Sequence, residues 1–268
     1  MKAVKKKRPN LVRSPVPVKK KKALPPVDTR KWKRIEWCAI GADVSMATIS
    51  LAGIAKLKSG DIKGAAVAVR WERGEDYIVR MRQAAKAHEI VHDLFSKLKI
   101  MPELDEVYFA LEEPFPLGMV KQMESNALKQ QAQISGAFFG GLLRWGWNHI
   151  YEISANSWRK IVADDIAAGI SDGFSIHHTK WNSRDFLPLP EGYRANDKTV
   201  GKYRAQFWVE KFHPEWDGKW PDLISHSKRG LIPRPEGSNA QGVQSDDRYE
   251  AFAMAKWMQN EIERSQSA

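Results

Sequence analysis

The chain has very little cysteine, because Cys38 is the only one among its 268 residues. A single thiol excludes an intrachain disulfide bond and a zinc site built from several cysteines. Cys38 lies in an apolar segment, so we expect a small buried side chain there. Long apolar runs are also missing, and without 18 consecutive apolar residues no transmembrane helix is expected. The sequence therefore indicates a globular protein in a reducing, intracellular setting, with no membrane partner.

Acidic residues are nearly absent from the first 34 residues, where Asp28 is the only acid beside 14 Lys and Arg. This segment has a net charge of +13, whereas the remaining 29 basic and 31 acidic residues sum to −2. The segment is rich in Lys and Pro and shows no periodicity, which predicts a disordered basic tail over residues 1–34. Such a tail could bind nucleic acid, direct import or aid solubility. No apolar stretch follows its lysines, as a secretory signal would require.

Apolar periodicity predicts an α/β domain over residues 35–262, followed by a short disordered C-terminus at 263–268. Little periodicity is present at 165–195 and 214–244, which we interpret as insertions. The predicted strands are 36–43, 47–56, 65–71, 106–112 and 149–153, and the predicted helices are 75–97, 119–145, 154–164, 196–212 and 245–262.

Three acidic segments lie far apart in the chain but share the features of one metal site. Segments 38–43 (CAIGAD) and 107–113 (VYFALEE) are apolar runs that end in carboxylates, and segment 246–251 (DDRYEA) opens a predicted helix. Carboxylates buried together resist ionisation unless a cation lies among them. Ligand sets made only of oxygen suit Mg²⁺ or Mn²⁺. The natural chemistry of such a site is phosphodiester hydrolysis with two ions ~4 Å apart.

Each acidic segment contains more than one candidate ligand. Glu112 and Glu113 point to opposite faces of a strand, so only one of them should enter the site. Asp247 and Glu250 share one helix face, whereas Asp246 fits better as the N-cap. Each acid also has an ordinary interpretation, as a solvated strand end or as a favourable charge at a helix N-terminus.

The order of the elements and their local sequences resemble the RuvC-type Holliday-junction resolvases of the ribonuclease H-like superfamily. Segment 41–45 (GADVS) resembles the family's first-strand motif GIDPGS, without its Pro-Gly turn. Segment 108–112 (YFALE), followed by Phe115, resembles the strand that ends in the family's second catalytic Glu. Segment 247–253 (DRYEAFA) resembles the family's DxxDAxA helix, with Glu in place of the second Asp.

The resemblance covers about residues 36–260 and implies an α/β, ribonuclease H-like fold: a mixed five-stranded sheet flanked by helices. In that fold the first and fourth strands lie side by side and the last helix brings its acids alongside. The resemblance also selects Glu112 over Glu113. The catalytic and metal-binding residues that it implies are Asp43, Glu112, Asp247 and Glu250.

Three further residues fall where the family contacts DNA. Arg159 and Lys198 match the positions of DNA-contacting lysines, and Phe115 matches an aromatic residue that stacks at the junction crossover. The alternatives are ordinary surface charge for the two cations and core packing for Phe115. Trp216 and Trp220 lie in the second insertion, where they could stack on bases or pack the loop onto the domain.

These features predict a Mg²⁺-dependent endonuclease with two ions per site, for which Mn²⁺ can substitute. Its expected substrate is branched DNA, foremost the four-way junction, and the resemblance implies a homodimer packed on helix 119–145. The expected location is the cytoplasm or nucleoid of a bacterium, or a virus-infected cell. Two alternatives stay open: another ribonuclease H-like nuclease or transposase, and a junction-binding protein without catalytic activity.

Overall fold

The computed structural model describes residues 32–46, 48–71, 76–113, 126–169, 204–209, 212–213, 216 and 247–267. Most of the predicted tail and both predicted insertions therefore lie largely outside the described residues. Within the described ranges, no helix combines the length and the apolar character that crossing a bilayer requires.

The described elements follow the predicted α/β order. The strands are β1 (Ile35–Val44), β2 (Thr48–Leu57), β3 (Ile62–Arg70), β4 (Val107–Glu112) and β5 (Ile150–Ile153). The helices are α1 (Tyr77–Ala84), α2 (Ala87–Leu98), α3 (Asn126–Arg144), α4 (Ala155–Gly169) and α5 (Asp247–Ser267). Residues 204–209 are also helical, and a 3₁₀ turn at Leu104–Glu106 precedes β4.

The five strands form one mixed sheet in the order β3-β2-β1-β4-β5. The β1–β2 and β2–β3 pairs are antiparallel, whereas β1–β4 and β4–β5 are parallel. This confirms the predicted ribonuclease H-like sheet, with the first and fourth strands side by side. β1 is the central strand and is apolar almost throughout, because helices cover both of its faces.

Two hydrophobic clusters separate the helices into two layers. One cluster combines Ile40 of β1 with Leu94 of α2 and Phe138 of α3. The other combines Ala39 of β1 with Phe252 of α5. Since neighbouring residues of a strand point to opposite faces, α2 and α3 cover one face of the sheet and α5 covers the other.

The predicted helix 75–97 is wrong in one respect, because the structure divides it into α1 and α2. The chain turns at Ala85 and Lys86, where the Lys86 amide donates to the Gln83 carbonyl at 3.0 Å. The backbone of α3 lies close to this break: a Cβ added to Gly141 would come within 2.6 Å of the Ala85 oxygen. The apolar periodicity continues through the break, so the sequence pattern contains no sign of it.

The predicted end of the last helix at 262 is also wrong, since α5 continues to Ser267. Residues 263–267 are therefore helical rather than disordered. Hydrogen bonds between neighbouring turns extend the helix, including Gln259 to Glu263 at 2.8 Å and the Ser265 hydroxyl to a carbonyl at 2.7 Å. Contacts at this spacing stabilise a helix beyond its last strongly apolar turn.

The fourth helix is longer than predicted as well. α4 runs to Gly169 rather than ending near 164, so it enters the segment that we interpreted as the first insertion. The helix predicted at 196–212 is described at 204–209, where it contributes Trp208 to the cluster under α5.

Candidate metal centre

Asp43 stands near the end of the central strand, on the face that α5 covers. Because side chains alternate along a strand, positions 39, 41 and 43 all lie on this face. Gly41 makes the approach of α5 possible, because an added Cβ would lie 1.9 Å from the Ala251 oxygen and 2.6 Å from the Ala255 nitrogen. The helix backbone therefore rests directly on β1, and the first turn of α5 reaches the level of Asp43.

Three carboxylates meet at this contact. Oxygens of Asp43, Asp247 and Glu250 all lie within 4.8 Å of one another. Asp43 and Asp247 are partly buried, and Glu250 is only 7% exposed. Two unit charges at this distance repel each other by about 3 kcal/mol at an effective dielectric constant of about 20. A cation bound between the oxygens would convert this repulsion into attraction, so the group has the donor chemistry of a Mg²⁺ or Mn²⁺ site.

The geometry of α5 explains why its two acids lie close together. Asp247 and Glu250 occupy the first turn at i and i+3, so both side chains lie on one helix face. The partial positive charge at the helix N-terminus offsets some of their negative charge. Ala251, Met254 and Ala255 are fully buried and fix this turn against the sheet.

Glu112 lies next to Asp43 at the end of β4. The parallel register pairs Ala42 with Leu111, so the following position of each strand, Asp43 and Glu112, is also adjacent. Adjacent strands are about 4.8 Å apart. Alternation from Ala110, which belongs to the cluster under α5, places Glu112 on the same face as Asp43. Among the described residues, its carboxylate is not a member of the 4.8 Å group.

The competing acids are placed differently. Glu113 follows the last residue of β4, and its backbone N–H donates to the Ile153 carbonyl at 2.9 Å. Strand alternation directs Glu113 to the face opposite Glu112, so register and alternation favour Glu112 as the ligand. Asp246 lies outside the described residues.

Sequence reasoning missed two hydroxyl groups beside the carboxylates. Thr48 begins β2 and its Oγ1 donates to Asp247 Oδ2 at 2.5 Å. Ser45 Oγ accepts a hydrogen bond from the Thr48 backbone N–H at 3.0 Å. Thr and Ser are ordinary residues at a strand start and a turn, so only the assembled fold connects them with the acids.

Of the three residues predicted to contact DNA, the structure describes only Arg159. Arg159 is partly buried on α4, with its guanidinium carbon 5.2 Å from the centre of the Trp158 ring. Since Trp158 is fully buried, this contact ties the Arg159 side chain to the surface of the domain core. Phe115 and Lys198 lie outside the described residues.

Trp216 packs onto the domain and does not present its ring to a ligand. It is 3% exposed and stacks on Phe252 of α5 with ring centroids 4.5 Å apart. Its ring also stacks on His213 with centroids 3.8 Å apart, and a Cβ added to Gly64 of β3 would lie 2.6 Å from the indole. Of the two roles considered for Trp216, the structure shows packing, and Trp220 lies outside the described residues.

Comparison of the sequence with protein families finds no match, and comparison with curated proteins finds none either. Among solved structures, a Thermus thermophilus RuvC structure is 15% identical with a TM-score of 0.34, over 65% of this chain and 96% of that chain. A structure of T. thermophilus RuvC in complex with a Holliday junction substrate is 13% identical with a TM-score of 0.33, over 66% of this chain and 96% of that one. At such low identities and TM-scores, these similarities decide nothing about function. The fold rests on the strand order and the candidate site on its own geometry.

Proposed function

We propose that the protein is a Mg²⁺-dependent endonuclease that cleaves branched DNA, with the four-way junction as its leading substrate. The observation that supports this proposal is the convergence of Asp43, Asp247 and Glu250 within 4.8 Å where β1 meets the first turn of α5. Like charges held this close have the arrangement that a bound divalent cation stabilises.

The four acids have distinct positions for this task. Asp43 and Glu112 belong to neighbouring strands, and Asp247 and Glu250 to one helix turn, so the proposed ligands come from both the sheet and the helix. Bound Mg²⁺ would supply an activated water and would stabilise the departing oxygen, with two ions per site and Mn²⁺ as a substitute. Strand and helix backbones hold the carboxylates, which keeps the donor positions rigid.

Attraction of DNA in this proposal comes from outside the acidic site. The tail 1–34 has a net charge of +13 and would neutralise phosphates along the DNA. Arg159, Lys198 and Phe115 stay predicted DNA contacts. Because the body after residue 34 has a net charge of −2, binding of the body alone would depend on these local contacts.

A junction needs cleavage of two opposed strands, so the proposal includes a twofold dimer built on α3. The solvent-facing side of this helix contains Gly136 and Gly140, around which no atom lies within 4 Å of an added Cβ. Leu143 follows on the same side and is 45% exposed. Light scattering at micromolar concentration should give twice the monomer mass. A monomer that still nicks both strands would contradict this part of the proposal.

The test of the activity compares three labelled substrates in Mg²⁺: a four-way junction, a linear duplex and an RNA–DNA hybrid. Paired symmetric nicks on the junction alone are expected. Asp43→Asn, Glu112→Gln and Asp247→Asn should each abolish cleavage, because each removes a proposed metal ligand. Junction binding should be retained, because each substitution also removes a negative charge that faces phosphate. Glu113→Gln is the matched control and should cleave normally.

Other outcomes separate the remaining functions. Cleavage of the hybrid or of linear DNA would favour another ribonuclease H-like nuclease or a transposase. Tight junction binding without cleavage in Mg²⁺ or Mn²⁺ would favour a non-catalytic junction-binding protein. Loss of activity in Glu113→Gln with normal activity in Glu112→Gln would move the second carboxylate to Glu113.

A further inference from the structure

The turn between β1 and β2 links Asp43 to Thr48 and is held by its own hydrogen bonds. The Thr48 N–H donates to Ser45 Oγ at 3.0 Å, and the Ser45 N–H donates to the Thr48 carbonyl at 2.8 Å. The Ser45 hydroxyl lies 3.1 Å from the Thr48 hydroxyl. These contacts direct the Thr48 hydroxyl across to α5, where it donates to Asp247 at 2.5 Å.

The same turn is fastened to two helices on the opposite side of the sheet. The Gln131 side chain of α3 donates to the Val44 carbonyl at 2.7 Å and accepts from the Met46 N–H at 3.1 Å. The Arg80 guanidinium of α1 donates to the Met46 carbonyl at 2.8 Å. Both ends of one amide therefore bind backbone on either side of Ser45, which fixes the turn more strongly than a single contact would.

We propose that Thr48 is a positioning residue for Asp247 and that Gln131 holds the turn in the conformation that allows Thr48 to act. The inference rests on the proposed metal site and adds residues other than the proposed carboxylate ligands. A hydroxyl that donates to one oxygen of a carboxylate restrains its rotation, and such charge-assisted hydrogen bonds are short and strong. The orientation of Asp247 towards Asp43 and Glu250 then depends on the β1–β2 turn.

The effect on metal binding follows from the general behaviour of groups that orient ligands. Loss of such a hydrogen bond typically weakens metal binding by about 10–100-fold. Thr48→Val keeps the shape of the side chain and removes the hydroxyl, so we expect a weakening in this range. Thr48→Ser keeps the hydroxyl and should bind within about threefold of the wild type, because the hydrogen bond can still form.

The experiment measures Mn²⁺ affinity of the full chain by titration calorimetry, with junction cleavage at varied Mn²⁺ as a second readout. The matched control is Ser59→Ala, which removes a hydroxyl that donates to the Asp61 carboxylate at 2.8 Å in the exposed β2–β3 turn. This variant should bind Mn²⁺ as the wild type does. At saturating Mn²⁺, Thr48→Val should recover most of its cleavage rate, which a merely misfolded variant would not do.

A second variant tests the helix contact. Gln131→Met removes both hydrogen bonds to the turn and retains the length of the side chain, so Mn²⁺ should bind about 3–10-fold more weakly, less than for Thr48→Val. Gln131→Met also tests the role of the turn if Thr48→Val does not fold. Wild-type affinity in whichever of these two variants folds would overturn the inference, provided that Asp43→Asn no longer binds Mn²⁺. Wild-type affinity in Asp43→Asn would instead reject the metal site itself, and the positioning role with it.

Discussion

Substitution of Gly41 by Ala should move the α5 carboxylates, Asp247 and Glu250, away from Asp43 of β1. The new Cβ would lie 1.9 Å from the Ala251 oxygen, whereas ordinary contacts begin at 3.4 Å. The neighbour is helix backbone and cannot rotate away, so α5 must move outwards by about 1.5 Å to restore normal contact. Asp247 lies four residues before Ala251, which is about 6 Å along the helix, so it moves with α5.

The Gly41→Ala substitution should lower both the stability of the fold and the affinity for Mn²⁺. Overfilling a packed interface costs about 1–3 kcal/mol of folding free energy, and we expect the upper end because two backbone atoms obstruct the Cβ. For a domain of this size each kcal/mol lowers Tm by about 2–4 °C. Metal–ligand distances tolerate only about 0.2 Å, so a displacement of this size should weaken Mn²⁺ binding by at least tenfold.

The assay combines urea unfolding with Mn²⁺ titration and uses Gly140→Ala as the control. Gly140 also lies in an apolar segment of the sequence, but it is on the exposed side of α3 and no atom lies within 4 Å of its added Cβ. Ala in a helix is favoured over Gly by about 0.5–1 kcal/mol, so the control should be more stable than the wild type and bind Mn²⁺ equally well. Wild-type stability and affinity in Gly41→Ala would refute the close packing of α5 on β1.

Two further predictions concern the thiol and the tail. Burial raises the pKa of the Cys38 thiol, so the thiol stays protonated at pH 8. It should react with a thiol-specific disulfide reagent only after the protein unfolds. If the native protein reacted as fast as the unfolded protein, the packing of β1 would be contradicted. Removal of residues 1–31 should flatten the slope of log affinity against log salt by about 0.9 per phosphate contact, equally for duplex and junction DNA. This truncation keeps Lys33, whose backbone N–H donates to the Lys99 carbonyl at 2.9 Å and whose carbonyl accepts from the Met101 N–H at 3.1 Å. Equal slopes would reject a DNA-binding tail.

The strands were predictable because their signal is local, whereas the resemblance implied that the first and fourth strands lie side by side. Each central strand is a short apolar run, and β1 is apolar almost throughout. The break between α1 and α2 was not predictable, because the apolar period continues through it and Gly141, which packs against it, is more than fifty residues away. Tertiary contacts of this kind override a continuous helical period.

The candidate site shows the same division. Asp43, Asp247 and Glu250 were selected from local motifs, and the structure brings their oxygens together. The partner of Asp247 was not predictable, since Thr48 is 199 residues away in sequence and has no unusual neighbours. The contact between Met46 and Gln131 spans 85 residues, and an exposed-looking Gln on a helix gives no indication of it.

The seat of α5 on β1 also determines when the site can exist during synthesis. Asp43 emerges from the ribosome about 200 residues before Asp247, which corresponds to roughly 10–40 s at usual translation rates. During that interval α5 is not there to pack on Gly41, and Asp43 has no carboxylate from α5 beside it. A nascent or truncated chain would thus lack the cation site and expose apolar strand surface to chaperones. The proposed nuclease site therefore depends on synthesis of the chain through α5.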